Sequence, residues 1–362
     1  MKVLVLTADY PNIEGGIALA YVHTRNIFYK SSGVDVVVLN FASDRDYVID
    51  GIPVITLASY KESRDEYDLL ICHAPNIRNH YVFLKKYENK FEKLIFFFHG
   101  HEVLNIRKVY SKPYSFCKRN IIKTIIQEIY DKVKLTLWHF YFPKLIYKSR
   151  FIFVSKWMYD EFLKWTKINP SLVGEVSEIT YNSVGEYFEK ETYDYNCEKE
   201  YDFITIRSNF DGSKYAIDIV ASLARNYPQY KFCIVGKGEF FKYNDKPQNI
   251  ELIQRNLSHN EIIEFLNKSK CALMPTRTDA QGLMACEMAT YGIPLITSNI
   301  PVCHEVFDDF NNVLFINNLG GKRIDLSKII NKTIVTKNDK YFAENTCNKE
   351  LKIMKEMCNE KE

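Results

Sequence analysis

The stretch that decides the fold is residues 202–235, DFITIRSNFDGSKYAIDIVASLARNYPQYKFCIV. Its first five residues are typical of a buried strand, and residues 207–214 form a polar loop with a glycine. A helical pattern follows over residues 215–226, and a second apolar run covers residues 231–235. The order strand, loop, helix, strand predicts a βαβ unit, and βαβ units build parallel sheets with helices on their faces.

The amino-terminal half opens with the same order. A strand is predicted at residues 2–7, a loop at 8–16, a helix at 17–30 and a second strand at 34–40. Further apolar runs predict strands at residues 68–72, 93–98 and 151–154, and then at 250–252, 271–274 and 295–297. We therefore predict an α/β protein with two doubly wound Rossmann-like domains that face each other across a cleft, because ligands of such sheets bind outside the carboxyl ends of the strands.

The domain limits follow from this repeat. We expect an N-terminal domain at residues 1–175 and a C-terminal domain at residues 176–342. Residues 343–362 carry Leu351 and Met354 at helical spacing, so we expect a last helix that packs back toward the N-terminal domain.

Composition excludes several classes of protein. The chain has 362 residues, of which 46% are hydrophobic and 26% charged, which argues against disorder and against a coiled coil. Its nine cysteines include no C-x-x-C pair, which indicates reduced thiols in a cytoplasmic protein and no zinc framework.

The net charge of +3 hides an asymmetry. Residues 107–150 contain eleven Lys or Arg and two acidic residues, so this segment carries +9, with aromatic residues interleaved. Such a mixture is typical of proteins that lie on an anionic membrane surface, here the inner face of the plasma membrane. A solvated basic face over an ordinary aromatic core is the alternative. Nucleic acid is not an expected partner, because no binding motif is present.

The most informative motif is residues 274–297, MPTRTDAQGLMACEMATYGIPLIT. A strand ends near Met274, and a helix is predicted from Gly282 to the residue before Gly292, a good carboxyl-terminal cap. The free N–H groups at the helix start favour an anion, and Glu287 inside the helix suits the hydroxyls of a ribose. The plain alternatives are a simple turn at Gly282 and a surface position for Glu287.

This motif resembles that of glycosyltransferase family 4, retaining sugar-nucleotide enzymes of the GT-B fold, which reads E-G-F-G-x-x-x-x-E-A-M-A. The resemblance implies that Glu287 holds the ribose of the nucleotide, and that Gln281, Gly282 and Leu283 lie beside the donor sugar and its phosphates. Asp279 takes the place of the first family glutamate as a catalytic carboxylate. It is one methylene shorter, which leaves the identity of the donor open.

Further residues match the family's diphosphate-binding positions. Gly15 and Gly16 correspond to a glycine pair, Arg207 and Lys214 to the cations that clamp the pyrophosphate, and Gly236 to a G-x-G turn. The chain departs from the family pattern in two places: an isoleucine precedes Arg207, where glycine is usual, and the loop before Lys214 is longer.

Three histidines are candidates. His99 follows the apolar run of residues 94–98 and matches a family histidine that reaches the donor sugar, and His101 is the reserve. His73 ends a similar strand and is expected on the acceptor side. The alternative for each is a histidine bonded to backbone.

The resemblance implies no cofactor and no metal. The triplet Asp44-Arg45-Asp46 has the D-x-D form of another glycosyltransferase fold, but it lacks that fold's context. The expected protein is a retaining glycosyltransferase that moves a sugar from a nucleotide-diphosphate sugar to a saccharide acceptor, lipid-linked, in bacterial capsule, O-antigen or exopolysaccharide synthesis. A GT-B sugar-nucleotide epimerase and a catalytically silent GT-B scaffold that binds a partner transferase are the alternatives.

Overall fold

The computed structural model of the protein describes residues 1–12, 14, 16, 18–117, 121–318 and 337–359. The chain forms two compact units. The first unit comprises Met1–Ile106, Ile125–Ser183 and Phe342–Glu362, and the second comprises Arg107–Thr124 and Val184–Tyr341.

The helices and strands alternate along most of the chain. Up to Ser183 they are β1 (Lys2–Thr7), α1 (Ala20–Ser31), β2 (Asp35–Asn40), β3 (Tyr47–Ile49), β4 (Ile52–Ile55), α2 (Leu57–Glu62), β5 (Leu69–His73), α3 (His80–Tyr87), β6 (Leu94–Phe98), α4 (Ile106–Val109), α5 (Ile121–Leu145), β7 (Ser149–Phe153), α6 (Lys156–Thr166), α7 (Pro170–Val173) and β8 (Ser177–Ile179). From Val184 onward they are α8 (Glu186–Lys190), β9 (Tyr201–Asn209), α9 (Ile217–Asn226), β10 (Phe232–Lys237), α10 (Phe240–Tyr243), β11 (Ile250–Ile253), α11 (His259–Asn267), β12 (Ser269–Met274), α12 (Leu283–Tyr291), β13 (Leu295–Ser298), α13 (Pro301–Phe307), β14 (Val313–Ile316) and α14 (Cys347–Asn359).

The sheet of the first unit has the order β3-β4-β2-β1-β5-β6-β7-β8. All neighbouring strands pair in parallel except β3 and β4, and the central strands are buried on both faces. The strand order reverses between β1 and β5, so the carboxyl ends of these two strands form the crevice where such sheets bind ligands. His73 ends β5, and His99 follows β6.

The carboxyl-terminal helix α14 belongs to the first unit. Leu351 and Met354 join the apolar core that α1 covers. The carboxylate of Glu350 is fully buried, where it accepts hydrogen bonds from Nε of Arg25 at 3.1 Å and from Oγ1 of Thr180 at 2.6 Å. The buried ion pair between Arg25 and Glu350 therefore holds α14 on the first unit, in addition to the apolar contacts of the helix.

The sheet of the second unit has the order β11-β10-β9-β12-β13-β14, with every pair parallel. Its order reverses between β9 and β12. The crevice of this sheet therefore lies at the carboxyl ends of these two strands, which carry Arg207 and the loop before Gly282.

The limits of the units differ from the sequence-based ones in two places. The first unit extends to Ser183, because β8 completes its sheet beside β7. The segment of residues 107–117 lies with the second unit, where the hydroxyl of Tyr114 donates to Asp218 at 2.7 Å and the ring of Phe116 stacks on Tyr243. The sequence pattern did not predict that this segment lies with the second unit, because the aromatic residues that anchor it have no distinctive spacing.

No helix among the described residues combines the length and the hydropathy needed to cross a bilayer. All nine cysteines are described, and each is a free thiol.

Candidate active site

The loop between β12 and α12 is shaped by Asp279. Its Oδ1 accepts backbone N–H groups from Ala280 at 2.8 Å and from Gly282 at 3.0 Å. Gly282 adopts a left-handed conformation with φ of 77°, which glycine tolerates best. The short aspartate side chain thus turns back on its own loop and fixes the entry into α12.

The helix α12 runs from Leu283 to Tyr291 and ends at Gly292, whose φ is 102°. The predicted helix limits are confirmed. The backbone N–H groups of Leu283 and Met284 meet no acceptor among the described residues. They are the orphan donors of a helix start, and they offer hydrogen bonds to an anion.

Glu287 lies within α12 and is 8% exposed. The structure gives its carboxylate no hydrogen-bond or salt-bridge partner among the described residues, and burial alone raises the pKa of Glu287 to about 8. Burying a carboxylate without partners costs free energy. A ligand whose hydroxyl groups donate to this carboxylate recovers part of that cost.

Arg207 lies near the end of β9 and is 8% exposed. Its Nη2 donates to the carbonyl of Pro275 at 2.9 Å, and its guanidinium lies over the ring of Tyr215. Its buried Nε has no partner among the described residues. Burial lowers the pKa of Arg207, and the carboxylate of Asp279 opposes this shift. The side chain is a fixed cation with an unused donor.

Lys214 lies in a 3-10 turn between β9 and α9. Its Nζ sits 5.0 Å from the ring centre of Tyr110 and 4.8 Å from that of Tyr215. The salt bridges of the described residues do not include Lys214. Its carbonyl accepts the N–H of Arg277 at 2.8 Å, which ties the turn to the loop after β12. Aromatic faces hold the ammonium group and leave its charge uncompensated.

One pocket of the second unit brings several candidates together. Arg207, Asp279, Gln281 and Gly282 all line it. Leu283, Lys214 and Glu287 are not among its lining residues; the first and last belong to the adjoining helix α12.

Gly236 has a different place. A Cβ on Gly236 would lie 1.7 Å from the carbonyl oxygen of Arg207, and its φ is 141°. The glycine therefore permits close approach of β10 to β9 behind Arg207. The structure gives Gly236 this packing role, and its predicted donor contact stays a prediction.

The first unit contains a buried pair of histidines. Nδ1 of His73 and Nε2 of His99 lie 3.1 Å apart, and the ring of His73 stacks on Phe97. Burial, assisted by the charge of Arg25, holds the pKa of His99 well below 6.5. Burial also holds the pKa of His73 well below 6.5, with further repulsion from His99. Both rings are neutral at pH 7, and each keeps one ring nitrogen without a partner among the described residues.

His73 is fully buried behind His99, so its described position orients His99 and offers no surface to an acceptor. We therefore correct its predicted role from acceptor contact to orientation of His99. The side chain of His101 is exposed, and its carbonyl accepts a hydrogen bond from Lys134 at 2.6 Å.

Sequence reasoning missed two residues around His99. Glu102 is buried and accepts the backbone N–H of His99 and that of Gly100, the latter at 2.9 Å. Burial raises the pKa of Glu102, against the effect of these N–H donors. The ring of Tyr21 lies 4.6 Å from that of His99. The sequence H-G-H-E held a usable signal, because a carboxylate in the turn after a strand can accept the N–H groups that the turn leaves without backbone partners.

Two further predicted residues are in the loop after β1. Oδ1 of Asn12 accepts the N–H of Gly16 at 3.0 Å, which closes a tight turn. Gly15 lies outside the described residues.

The D-x-D triplet has structural partners. Asp46 accepts the N–H of Thr56 at 2.8 Å and the hydroxyl of Ser59 at 2.9 Å, at the start of α2. Within the described ranges, no group of three or more His, Cys, Asp or Glu side chains is arranged to hold a metal ion.

Several aromatic residues of segment 107–150 pack against the protein. Trp138 and Phe142 are fully buried in the first unit, and Tyr114 and Phe116 pack on the second. The expectation that these rings face a bilayer is wrong for these four, because their apolar contacts with the protein are already made.

Two α/β units with parallel sheets, each with polar groups at the carboxyl ends of its strands, define the GT-B fold class. Solved structures agree. Sucrose-phosphate synthase from Thermosynechococcus elongatus superposes with a TM-score of 0.62 at 11% identity, over 91% of this chain and 88% of that one. WaaG, described as a glycosyltransferase involved in lipopolysaccharide biosynthesis, gives a TM-score of 0.60 at 14% identity, over 91% and 89%.

Residues 198–345 match the model of the family described as glycosyl transferases group 1. These residues contain Arg207, Lys214, Asp279 and Glu287. Two curated relatives, both named O-antigen biosynthesis glycosyltransferase WclY from Escherichia coli, are 31% identical over 101 residues. That match covers 25% of this chain and 27% of each relative, so the chain spans about a quarter of the length of the curated relatives it matches.

Proposed function

We propose that the protein is a retaining glycosyltransferase of family 4 that transfers a sugar from a nucleotide-diphosphate sugar to a saccharide acceptor. One observation carries the proposal: α12 holds a buried, unpartnered carboxylate, Glu287, one helical turn beyond orphan N–H donors. This arrangement suits a nucleotide, because the N–H groups take phosphate and the carboxylate takes ribose hydroxyls. The match of residues 198–345 to glycosyl transferases group 1 supports the same function.

In this proposal, the cations Arg207 and Lys214 stabilise the leaving group. As the glycosidic bond breaks, negative charge develops on the departing diphosphate, and preorganised cations stabilise that charge more than the ground state. Arg207 is held by Pro275 and Tyr215, and Lys214 by two aromatic rings, so neither reorganises during the reaction. In this proposal these two side chains neutralise the diphosphate and no resident metal or cofactor takes part.

His99 is proposed to orient the donor sugar. Its imidazole is neutral at pH 7, so it donates or accepts a hydrogen bond without adding charge. In a front-face reaction with retention, the departing phosphate oxygen takes the acceptor proton, so a strong enzymic base is not needed. Asp279, whose Oδ1 holds the loop, keeps Oδ2 for a donor-sugar hydroxyl in this scheme.

We propose a lipid-linked saccharide as acceptor, in the assembly of a bacterial surface polysaccharide on the cytoplasmic side of the membrane. The names of the similar proteins support this class of acceptor, since they concern O-antigen and lipopolysaccharide biosynthesis.

The test is a thermal-shift panel of UDP-, GDP-, ADP- and CMP-sugars, followed by calorimetric titration of the nucleotide that binds. A ligand of the native state raises its melting temperature, so one nucleotide is expected to stand out. Glu287→Ala should lower the affinity for that nucleotide by about tenfold or more, because the variant removes charge-assisted hydrogen bonds of about 1.5–3 kcal/mol each. Unchanged affinity in Glu287→Ala, or no binding by any nucleotide, contradicts the proposal.

A further inference from the structure

The helix α5 presents a row of large apolar side chains to solvent. Ile126, Ile129 and Val133 are 59%, 57% and 52% exposed. The same row contains two further residues of the first unit that are at least half exposed: Ile125 and Phe140. At about 100° per residue these positions fall within one face about 100° wide. We call this set the isoleucine face.

The isoleucine face is not the core-packing side of the helix. Leu135, Trp138 and Phe142 are buried and anchor α5 to the first unit from the other side. The helix is thus apolar on two sides, and only one of them is covered by the described protein. A contiguous exposed apolar surface of this kind marks a site of interaction.

Positive charge surrounds the isoleucine face. Lys132 and Lys144 are exposed and border it on either side. Asp131, an acidic residue of this helix, is fully buried, where it pairs with Nζ of Lys134 at 2.9 Å. Its charge is therefore cancelled in the interior. Glu128, the other acidic residue of α5, is half-buried, so the fully exposed charges beside the face are those of Lys132 and Lys144.

We propose that the isoleucine face docks on an anionic lipid bilayer, with the isoleucines in the boundary between headgroups and acyl chains and the bordering lysines on lipid phosphates. An amphipathic helix with a basic margin binds such surfaces through buried apolar area and charge together. A second copy of the chain fits less well, because pairing two such faces brings their lysine margins together.

A bilayer is a partner that rests on the proposed function for its purpose, but the exposed apolar residues that point to it all lie on α5. The residues of the isoleucine face are separate from Arg207, Lys214 and Glu287. Loss of membrane binding and loss of nucleotide binding are therefore distinguishable in the same variants.

The experiment is co-sedimentation of the full chain with vesicles of equal parts phosphatidylglycerol and phosphatidylcholine, compared with phosphatidylcholine alone. The wild type should bind the anionic vesicles more tightly, and added salt should weaken that binding. The double variant Ile126→Ser, Ile129→Ser should lose about tenfold or more in affinity, since it removes two buried apolar side chains. Its nucleotide-induced thermal shift should match that of the wild type.

The matched control is Val82→Ser. Val82 is 60% exposed on α3, so it tests the loss of an equally exposed apolar residue elsewhere. The control should bind vesicles like the wild type. Equal binding of the wild type to both vesicle types would overturn the proposal, as would full binding by the double variant. A wild-type dimer that the double variant converts to a monomer, without vesicle binding, would assign the face to self-association instead.

Discussion

The two units bury charged side chains in opposite ways. In the first unit, Arg25 and Glu350 are both fully buried and bond to each other at 3.1 Å, and Glu350 also accepts hydrogen bonds from Thr180 and Tyr29. In the second unit, Arg207 and Glu287 are each 8% exposed, and neither has a salt-bridge partner among the described residues.

The difference separates a structural role from a binding role. A paired buried charge has its desolvation cost offset by its partner, so it fastens one element to another. An unpaired buried group has no such offset: Arg207 stays desolvated, and Glu287, with a pKa of about 8, takes up a proton at lower pH. A ligand of complementary chemistry recovers this cost on binding. The contrast therefore yields opposite expectations for stability when each charge is removed.

The largest effect should follow Glu350→Ala, which leaves Arg25 buried without its partner. We expect a loss of about 3–5 kcal/mol in the free energy of unfolding, as is typical when one member of a buried pair is removed. Chemical denaturation measures it. The control Glu356→Ala, on the same helix but exposed, should change stability little. Similar stability of Glu350→Ala and wild type would remove the contrast between the units.

Glu287→Gln, in contrast, should gain stability relative to the wild type as the pH rises. The pKa of Glu287 is about 8 in the folded protein and lies near 4.5 ordinarily, so between these values the folded state holds a proton that the unfolded chain has released. Stability of the wild type therefore falls as pH rises through this window, by about 1.4 kcal/mol per pH unit for this group.

The variant lacks this titration, so its stability relative to wild type should increase by about 2–3 kcal/mol between pH 6 and pH 8 in the absence of nucleotide. Denaturation at the two pH values measures the difference. Glu356→Gln serves as the control without such a gain. If the difference in stability between the variant and the wild type were the same at both pH values, burial would not raise the pKa of Glu287, and this prediction would be wrong.

Arg207→Ala tests the unpaired cation. Affinity for the nucleoside diphosphate should fall by about 10- to 100-fold, which corresponds to charge-assisted bonds of about 1.5–3 kcal/mol. Affinity for the corresponding nucleoside, which has no phosphate, should be unchanged in calorimetric titration. Equal losses for both ligands would place Arg207 outside the phosphate site.

The smallest effect should come from Tyr110, whose ring faces the ammonium group of Lys214. Tyr110→Ala should weaken nucleoside diphosphate binding about two- to fivefold, in line with a cation–π contact of about 0.5–1 kcal/mol. Tyr110→Phe keeps the ring and should retain wild-type affinity. A phenylalanine variant as weak as the alanine variant would assign the effect to the hydroxyl group instead.

Much of the fold could be predicted from local pattern. Every strand predicted from an apolar run is present, and α12 ends at Gly292 as its cap residues indicate. The short strands β3, β4, β8 and β14 were missed, because runs of three or four residues carry little periodic signal.

The site was predictable only in part. The family resemblance assigned Arg207, Asp279 and Gln281 to one donor site, and all three line the same pocket. It did not reveal that Gly236 serves packing or that His73 lies behind His99, since both facts depend on contacts across neighbouring strands. Burial of Glu350 was equally beyond the sequence, because an acidic residue in an amphipathic helix ordinarily faces water.

The sequence by itself determined the two parallel-sheet units and the chemical types available at the ends of their strands, because alternation of apolar runs and caps acts locally. Only the tertiary structure decided which charges are paired. Arg25 meets Glu350 across 325 positions of chain, and Tyr110 reaches Lys214 through a segment that leaves one unit for the other. Whether two charged side chains pair depends on the distance between them and on whether water is excluded around them, and only the folded structure sets both.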